Sequence, residues 1–280
     1  MTATDKPRSG PRNIFVHVIL MLFVLVAIMP LLGTLLTSFK DPTDLSGSPF
    51  SLPRVWHIEN FARAWDEAKF GNYFVNSIVV VVAVVVISVF LSILSGYAMG
   101  QMKFHGKGLI NIIILMGLMV PFEAVIIPLW SLMRDLGLYN SLWSLIWPQV
   151  ALSFSFGTFW MQSYFKSVPS DIIDAAVIDG CSSWSTLWRV LFPMSQPFVL
   201  SMVVLLFIWT WNEFLLALVM IQKDTLRTLP VGLASLQGRF STDLSLVAAA
   251  TVIVTVPTLI VYFIFQRQFI TGMISGALRG

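Results

Sequence analysis

Six apolar stretches, each long enough to cross a lipid bilayer, constrain this chain more than any other feature. A hydrocarbon core about 30 Å thick asks for roughly 20 predominantly apolar residues per helix. Windows of that kind run over 14–36, 77–99, 109–132, 142–164, 198–221 and 246–265. Composition agrees: hydrophobic residues make up 57% of the 280 and charged residues only 11%, against roughly 25% charged in soluble domains. The fold expected is an all-α membrane protein of six transmembrane helices, with a tail over 1–13 and one helical membrane domain over 14–280.

The first window follows Lys6, Arg8 and Arg12, the charge order of a secretory signal, but a signal core spans only about 7–15 residues before its cleavage site. An uncleaved first span is therefore expected. An even number of spans puts both termini on one side. The Lys and Arg residues divide nine against eight between the two sides, so the orientation rests on the basic tail and on Lys103 and Lys107 near helix ends, which place both termini in the cytoplasm. The remaining composition excludes several classes of function. The net charge of +3 is scattered rather than gathered into a stripe, so there is no footprint for nucleic acid, and membrane lipid is the expected environment. Cys181 is the single cysteine, so no disulfide forms within the chain, and no Cys/His cluster has metal-ligand spacing.

Within the windows, small residues recur every four positions at Ser88, Ser92, Gly96 and Gly100, which marks a face where another helix backbone can approach closely. Pro121, Pro128, Pro148 and Pro257 each remove an intrahelical hydrogen bond and predict kinks or breaks. Such breaks either border a solute path or are made good by neighbouring helices. Two carboxylates fall at membrane depth, Glu123 in the third window and Glu213 in Trp209-Thr210-Trp211-Asn212-Glu213-Phe214 of the fifth. Charge there costs about 2.5–3.5 kcal/mol on insertion scales, so both face a bundle interior or a wet cavity. Trp211, Asn212, Glu213 and Glu123 are the candidates for the solute path. Glu213 equally suits capping or pairing with a neighbouring helix, and the tryptophans suit either stacking on a sugar ring or a place at the membrane interface.

Between the fourth and fifth windows, a loop over 165–196 reads as helix, turn, helix. Ser170 is placed to cap a first helix with Asp171 in its first turn, Gly180 to end it, and Ser182 or Ser183 to cap a second helix running to Pro193. Ile172, Ile173, Ala176, Val177, Trp184, Leu187 and Trp188 make this loop unusually apolar, which predicts docking onto the membrane helices or into a groove on another protein.

In this loop Asp174-Ala175-Ala176, Gly180 and Val190-Leu191-Phe192-Pro193 keep the spacing of the EAA motif of binding-protein-dependent ABC importer permeases, which runs Glu-Ala-Ala, three residues, Gly, nine residues, Ile-x-Leu-Pro. Asp174 stands where the motif has Glu, and its shorter arm weakens the expectation of a direct contact by that side chain. The resemblance extends along nearly the whole chain to carbohydrate-uptake permeases of the maltose-transporter G type. It is carried by Thr37-Ser38-Phe39-Lys40, Asn60-Phe61, Phe74-Val75-Asn76-Ser77, Leu94-Ser95-Gly96-Tyr97-Ala98, Val120-Pro121, Ile127-Pro128-Leu129, Trp211-Asn212-Glu213-Phe214, Thr228-Leu229-Pro230-Val231-Gly232-Leu233 and the tail from Gly272 to Gly280.

The resemblance implies a type I importer permease fold and a heterodimer with a second related permease. It also implies a pair of ATP-binding subunits and an extracytoplasmic solute-binding protein or lipoprotein. Asp174, Ala175, Ala176, Asp179, Gly180 and Pro193 would then form the loop that couples to the ATPase. ATP and Mg belong to that partner, and no cofactor is expected on this chain, which has no G-x-x-x-x-G-K-[ST] loop. The stretch from Gly100 to Gly108 has the wrong spacing for one and reads as a basic turn. Two rival classes are an ATP-independent secondary transporter or channel using Glu213 and Glu123, and an intramembrane enzyme. The first lacks an inverted repeat, and the second lacks any catalytic motif. His17, His57 and His105 are widely spaced and read as ordinary.

Overall fold

The computed structural model of the chain describes residues 11–46, 48–239 and 243–277. Lys6 and Arg8 of the basic tail and the terminal residues 278–280 lie outside the described residues. The regular elements are helical: α1 (Pro11–Ser38), α2 (Glu59–Glu67), α3 (Phe70–Gln101), α4 (Lys107–Met119), α5 (Phe122–Asp135), α6 (Trp143–Lys166), α7 (Ser170–Ile178), α8 (Ser183–Ser185), α9 (Phe192–Trp211), α10 (Leu215–Met220), α11 (Leu229–Arg239) and α12 (Leu244–Ala277). A π-helical turn over Thr186–Leu191 joins α8 to α9.

Four helical stretches among the described residues are long and apolar enough to cross a membrane: Phe15–Ser38, Phe70–Gln101, Ser183–Trp211 and Leu244–Arg267. A fifth is reached if α4 and α5, bent by 101° at their junction, make one broken span. This is an all-α multi-span membrane protein with four to five candidate spans, where six straight windows were expected. Two windows account for the difference. The third is not a continuous helix, because Pro121 has no N–H to give and holds Val120 extended, at φ −70° and ψ 116°. The fourth forms α6, 24 residues long, but buried Gln149, Ser153, Ser155, Thr158 and Gln162 dilute its apolarity. Those groups are tolerable only because protein rather than lipid surrounds them. Pro128, Pro148 and Pro257 sit within helices instead of ending them.

The chain packs as two compact units, residues 1–68 with 235–253, and residues 69–234 with 254–280. In the first, the end of α1 is knotted by polar side chains. Asn60 donates through Nδ2 to the carbonyls of Ser38 and Lys40, each at 3.0 Å. Lys40, only 1% exposed, donates through Nζ to the carbonyls of Ser48 at 2.9 Å and Pro49 at 3.1 Å, and to Ser51 Oγ at 3.0 Å. Phe39 wedges between Trp56 and Phe61, 5.2 Å from each ring. Asn60 thus satisfies carbonyls that the helix end leaves open, and Lys40 satisfies those of the loop that follows.

The larger unit is built on α3 against α6. A Cβ at Gly96 would overlap Met161, one at Gly100 would lie 2.8 Å from Phe165 Cβ, and Gly157 of α6 receives Ser92 in the same way. Positions 92, 96 and 100 therefore meet 157, 161 and 165 in ascending order, so the helices run parallel with matched four-residue spacing. Ser95 and Thr158 hydroxyls bond at 2.7 Å, Gln162 Nε2 donates to Met99 O at 3.2 Å, and Gln101 donates to the Phe165 carbonyl. At the opposite end of α3, Asn76 Nδ2 donates to the Thr225 and Arg227 carbonyls at 2.9 Å each, and Ser77 Oγ accepts from Leu229 N at 2.9 Å. Asn140, held at φ 60°, accepts through Oδ1 from the N–H groups of Gln222 and Lys223. Asp224 accepts from Lys69 Nζ at 2.9 Å and Tyr73 Oη at 2.8 Å. These two donors, with the charges of Lys69 and Arg227, hold its carboxyl below the usual carboxylate range.

Two outcomes follow from this packing. Gly96→Ala should lower the thermal midpoint of the purified protein, by the equivalent of about 1–3 kcal/mol of overpacking, whereas Gly108→Ala, where an added Cβ meets nothing within 4 Å, should not. Because the native pKa of Asp224 is depressed, its stabilisation is complete above about pH 4 and is lost as pH falls through the native value. Melts of wild type and Asp224→Asn should therefore differ at neutral pH and converge in acid.

Candidate functional site

The break between α9 and α10 is held by the two polar residues within it. Asn212 donates through Nδ2 to Ile208 O at 2.7 Å, closing the end of α9. Glu213 accepts from Leu216 N at 2.8 Å through Oε1, opening α10. Glu213 thereby meets an N–H at the start of α10 that the interruption leaves without a helical partner, while Asn212 adds a second donor to a carbonyl that its own backbone N–H already reaches at 3.2 Å. Beside the break lies a partly open cavity of about 270 Å³. Its walls come from the end of α4 (Gly117, Leu118, Val120), one face of α6 (Gln149, Leu152, Ser153, Phe156) and the end of α9 (Trp209, Thr210, Glu213). α4 comes close enough to form the wall because Gly117 has no side chain to meet Ser155.

Of the four residues expected on a solute path, the structure brings only Glu213 to this cavity. Trp211 is 1% exposed and donates through Nε1 to Val254 O of α12 at 3.0 Å, so it anchors the break from behind. Asn212 is exposed and occupied with its own helix end. Glu123 is exposed in the first turn of α5, outside the cavity lining. Gln149, Ser153, Phe156 and Thr210 were not anticipated, and Trp209 was anticipated only as one of the aromatics around Glu213 that suit stacking or a membrane interface. A signal was present: Gln149, Ser153 and Phe156 recur at helical spacing in a window otherwise suited to lipid.

The 165–196 loop forms a second candidate site. α7 starts at Ser170 itself, with Pro169 in the extended cap position, so Ser170 is not the cap expected of it. Its hydroxyl instead faces Asp171 Oδ1 at 3.5 Å. The C-terminus is a Schellman turn: Cys181 N donates to Ala176 O at 2.9 Å, Gly180 N donates to Val177 O at 3.0 Å, and Gly180 has φ 79°. Ser182 Oγ then accepts from Ser185 N at 3.3 Å and caps the next helix. That second helix does not end at Pro193. It passes through the π-helical turn into α9, and Pro193 follows just after that turn, where the hydrogen-bond register already departs from that of the α-helix.

The apolar residues of the loop divide in two. Ala176 and Leu187 are buried, while Ile172 and Trp188 pack against the cluster that holds Phe165 and Leu191. Ring contacts lead from Trp184 edge to face onto Trp188 and on to Phe192 of α9, and Trp188 stacks on Phe90 of α3. Val177, Ile178 and Trp184 instead point outward, at 60%, 84% and 61% exposure, beside exposed Asp174, Ala175, Asp179 and Gly180. The basic turn after α3 is closed by Lys107 Nζ donating to Met102 O at 2.8 Å, and among the described residues no His, Cys, Asp and Glu cluster is placed to hold a metal.

Comparison with known proteins gives this architecture a family. Residues 92–274 match the family model described as "Binding-protein-dependent transport system inner membrane component". The probable ABC transporter permease protein YurM of Bacillus subtilis is 35% identical, with 99% of this chain and 92% of YurM covered. The diacetylchitobiose uptake system permease protein NgcG of Streptomyces coelicolor is 34% identical, with 94% of this chain and 88% of NgcG covered. The fold is that of a chain in the crystal structure of a bacterial ABC transporter involved in import of the acidic polysaccharide alginate. That chain superposes with a TM-score of 0.80 at 24% identity, covering 96% of this chain and 100% of the other. The chain therefore belongs to the binding-protein-dependent transport system inner membrane components, and is a multi-pass, non-catalytic permease subunit of an ABC importer.

Proposed function

We propose that this chain forms half of the membrane pathway of an ATP-driven importer for a saccharide, and that the Asp174–Pro193 loop couples it to a separate ATPase. The observation that carries the coupling is the outward apolar face of Val177, Ile178 and Trp184 on a helix-turn-helix whose inner face is locked to α3 and α9. Apolar surface left in water to that extent is unfavourable, and a partner groove that covers it removes the cost. Asp174, Ala175, Asp179 and Gly180 border that face, Ala176 seats the loop, and Pro193 marks its entry into α9. The partners are a second related permease, a pair of ATP-binding subunits that use ATP and Mg, and an extracytoplasmic binding protein. The saccharide reading draws on NgcG, named for diacetylchitobiose uptake, and on the motifs shared with carbohydrate-uptake permeases.

In this reading α1, α3, the bent α4–α5 pair, α6, the α8–α9 rod and α12 serve as six spans, with both termini and α7 in the cytoplasm. Glu213 lines the path, while Trp211 and Asn212 frame the break beside it. Glu123, exposed at the start of α5, would reach the solute only from the bend between α4 and α5. Closure of the ATPase dimer would move α7 and, through it, α9, switching the accessible side of the pathway.

Reconstitution of this chain with its partner permease, ATPase and binding protein in proteoliposomes tests the coupling. Ile178→Asp and Asp174→Lys change exposed positions, so assembly should persist while saccharide uptake and binding-protein-stimulated ATP hydrolysis fall by about tenfold or more. Gly180→Ala meets no atom within 4 Å but strains a left-handed residue by about 1 kcal/mol, and should give a milder defect. Uptake by this chain alone, driven by an ion gradient and indifferent to ATP, would instead establish a secondary transporter.

A further inference from the structure

The cavity between α6 and α9 has a composition that selects among solutes. Trp209 is 51% exposed and meets Phe156 edge to face, with centroids 4.8 Å apart at 69°. One side of the pair is packed, and part of the remaining indole surface borders the cavity. Around it stand Gln149, Ser153 and Thr210, all under 10% exposed. Gln149 Nε2 is used on Leu145 O of its own helix at 3.1 Å, which leaves its Oε1 as an acceptor. Glu213 uses Oε1 on Leu216 N and has Oε2 left for the cavity. An aromatic surface ringed by acceptors and hydroxyls complements a ring with apolar C–H faces and O–H groups at its edge. The lining contains a carboxylate and no Lys, Arg or His, so a uronate or sugar phosphate would face repulsion without a compensating cation. At about 270 Å³ the space falls just below the roughly 300–1,000 Å³ of drug-sized sites, which suits one ring rather than a chain.

We infer that Trp209, Phe156, Gln149, Ser153, Thr210 and Glu213 form a contact subsite in this subunit for a single neutral pyranose ring of the passing saccharide. Trp209 supplies the stacking face, and Gln149 and Glu213 accept sugar hydroxyls. The inference rests on the importer reading proposed above. It adds that this half of the pathway touches the solute directly and discriminates against acidic sugars.

The reconstituted complex tests it with radiolabelled maltose, trehalose and N,N′-diacetylchitobiose as neutral probes and a digalacturonate as the acidic one. Wild type should take up at least one neutral probe in an ATP-dependent manner and exclude the acidic one. Trp209→Ala and Gln149→Leu should cut uptake by about tenfold and change the ratio between neutral probes, which a purely structural defect would not do. Trp209→Phe should retain most transport, and Trp147→Ala, an exposed residue stacked on Trp143 outside the lining, should retain all of it. Unchanged rates and ratios in assembled Trp209→Ala would overturn the subsite. If Trp209→Ala does not assemble, Gln149→Leu with wild-type rate and ratio overturns it equally. Absence of ATP-dependent saccharide uptake by wild type is a separate result, and it defeats the importer reading itself.

Discussion

In lipid, helices gain nothing from hiding apolar surface against one another, so two helices stay together only if their backbones come close enough for many weak contacts to accumulate. The pairing of α3 with α6 meets that requirement along its whole length. Small side chains at 92, 96 and 100 on one helix and 157 on the other remove the bulk that would separate them. Buried Ser88 and Ser92 serve here by size, since their hydroxyls have no hydrogen-bond partner. Once this pair is fixed, α6 is covered by protein and can carry glutamines and hydroxyls that no lipid-facing helix could hold. The cavity and its polar rim depend on that permission.

The interruptions of α9 and of the α4–α5 pair belong to the same logic. A broken helix exposes N–H and C=O groups at a depth where water is scarce, and each needs an internal partner. Glu213 provides a partner at one break, and Asn60 does so at the end of α1, while Lys40 serves the carbonyls of the loop that follows. Polar residues that look costly in a hydropathy profile are therefore the groups that let the backbone leave a helix. Glu213 does this with one carboxylate oxygen while its side chain also lines the cavity, so capping a helix and facing a cavity, which read as alternatives in sequence, coexist in one residue.

Much of this was legible in the amino-acid order. The apolar windows found the long helices, the four-residue stripe in the second window named the packing face, and Gly180 marked the turn after α7. What escaped had a physical cause in each case. A hydropathy window averages over position and cannot register that Val120-Pro121 turns a chain through 101°, nor that a π-helical turn carries the helix past a proline at 193. Ser170 looked like a cap because serine is a good one, but Pro169 already sets the extended conformation before the helix. Trp211 was set beside the solute because it adjoins Asn212, yet helical geometry turns neighbouring residues about 100° apart. That rotation sends Trp211 to α12 and leaves Trp209 and Thr210 beside the cavity.

The segment Ser183–Trp211 is helical for 29 residues without a break, at about 1.5 Å per residue close to 43 Å. One end is the loop with the outward tryptophan and the other is the rim of the cavity, so a single rigid member joins the two regions where partners and solute would meet. A rod of this kind carries a displacement of one end to the other. Two places along it depart from the α-helical hydrogen-bond pattern, the π-helical turn over Thr186–Leu191 and Pro197 within α9. Both lie no further from the loop than the middle of the rod, so the stretch that reaches the cavity rim is regular α-helix and mechanical slack is kept to the loop side.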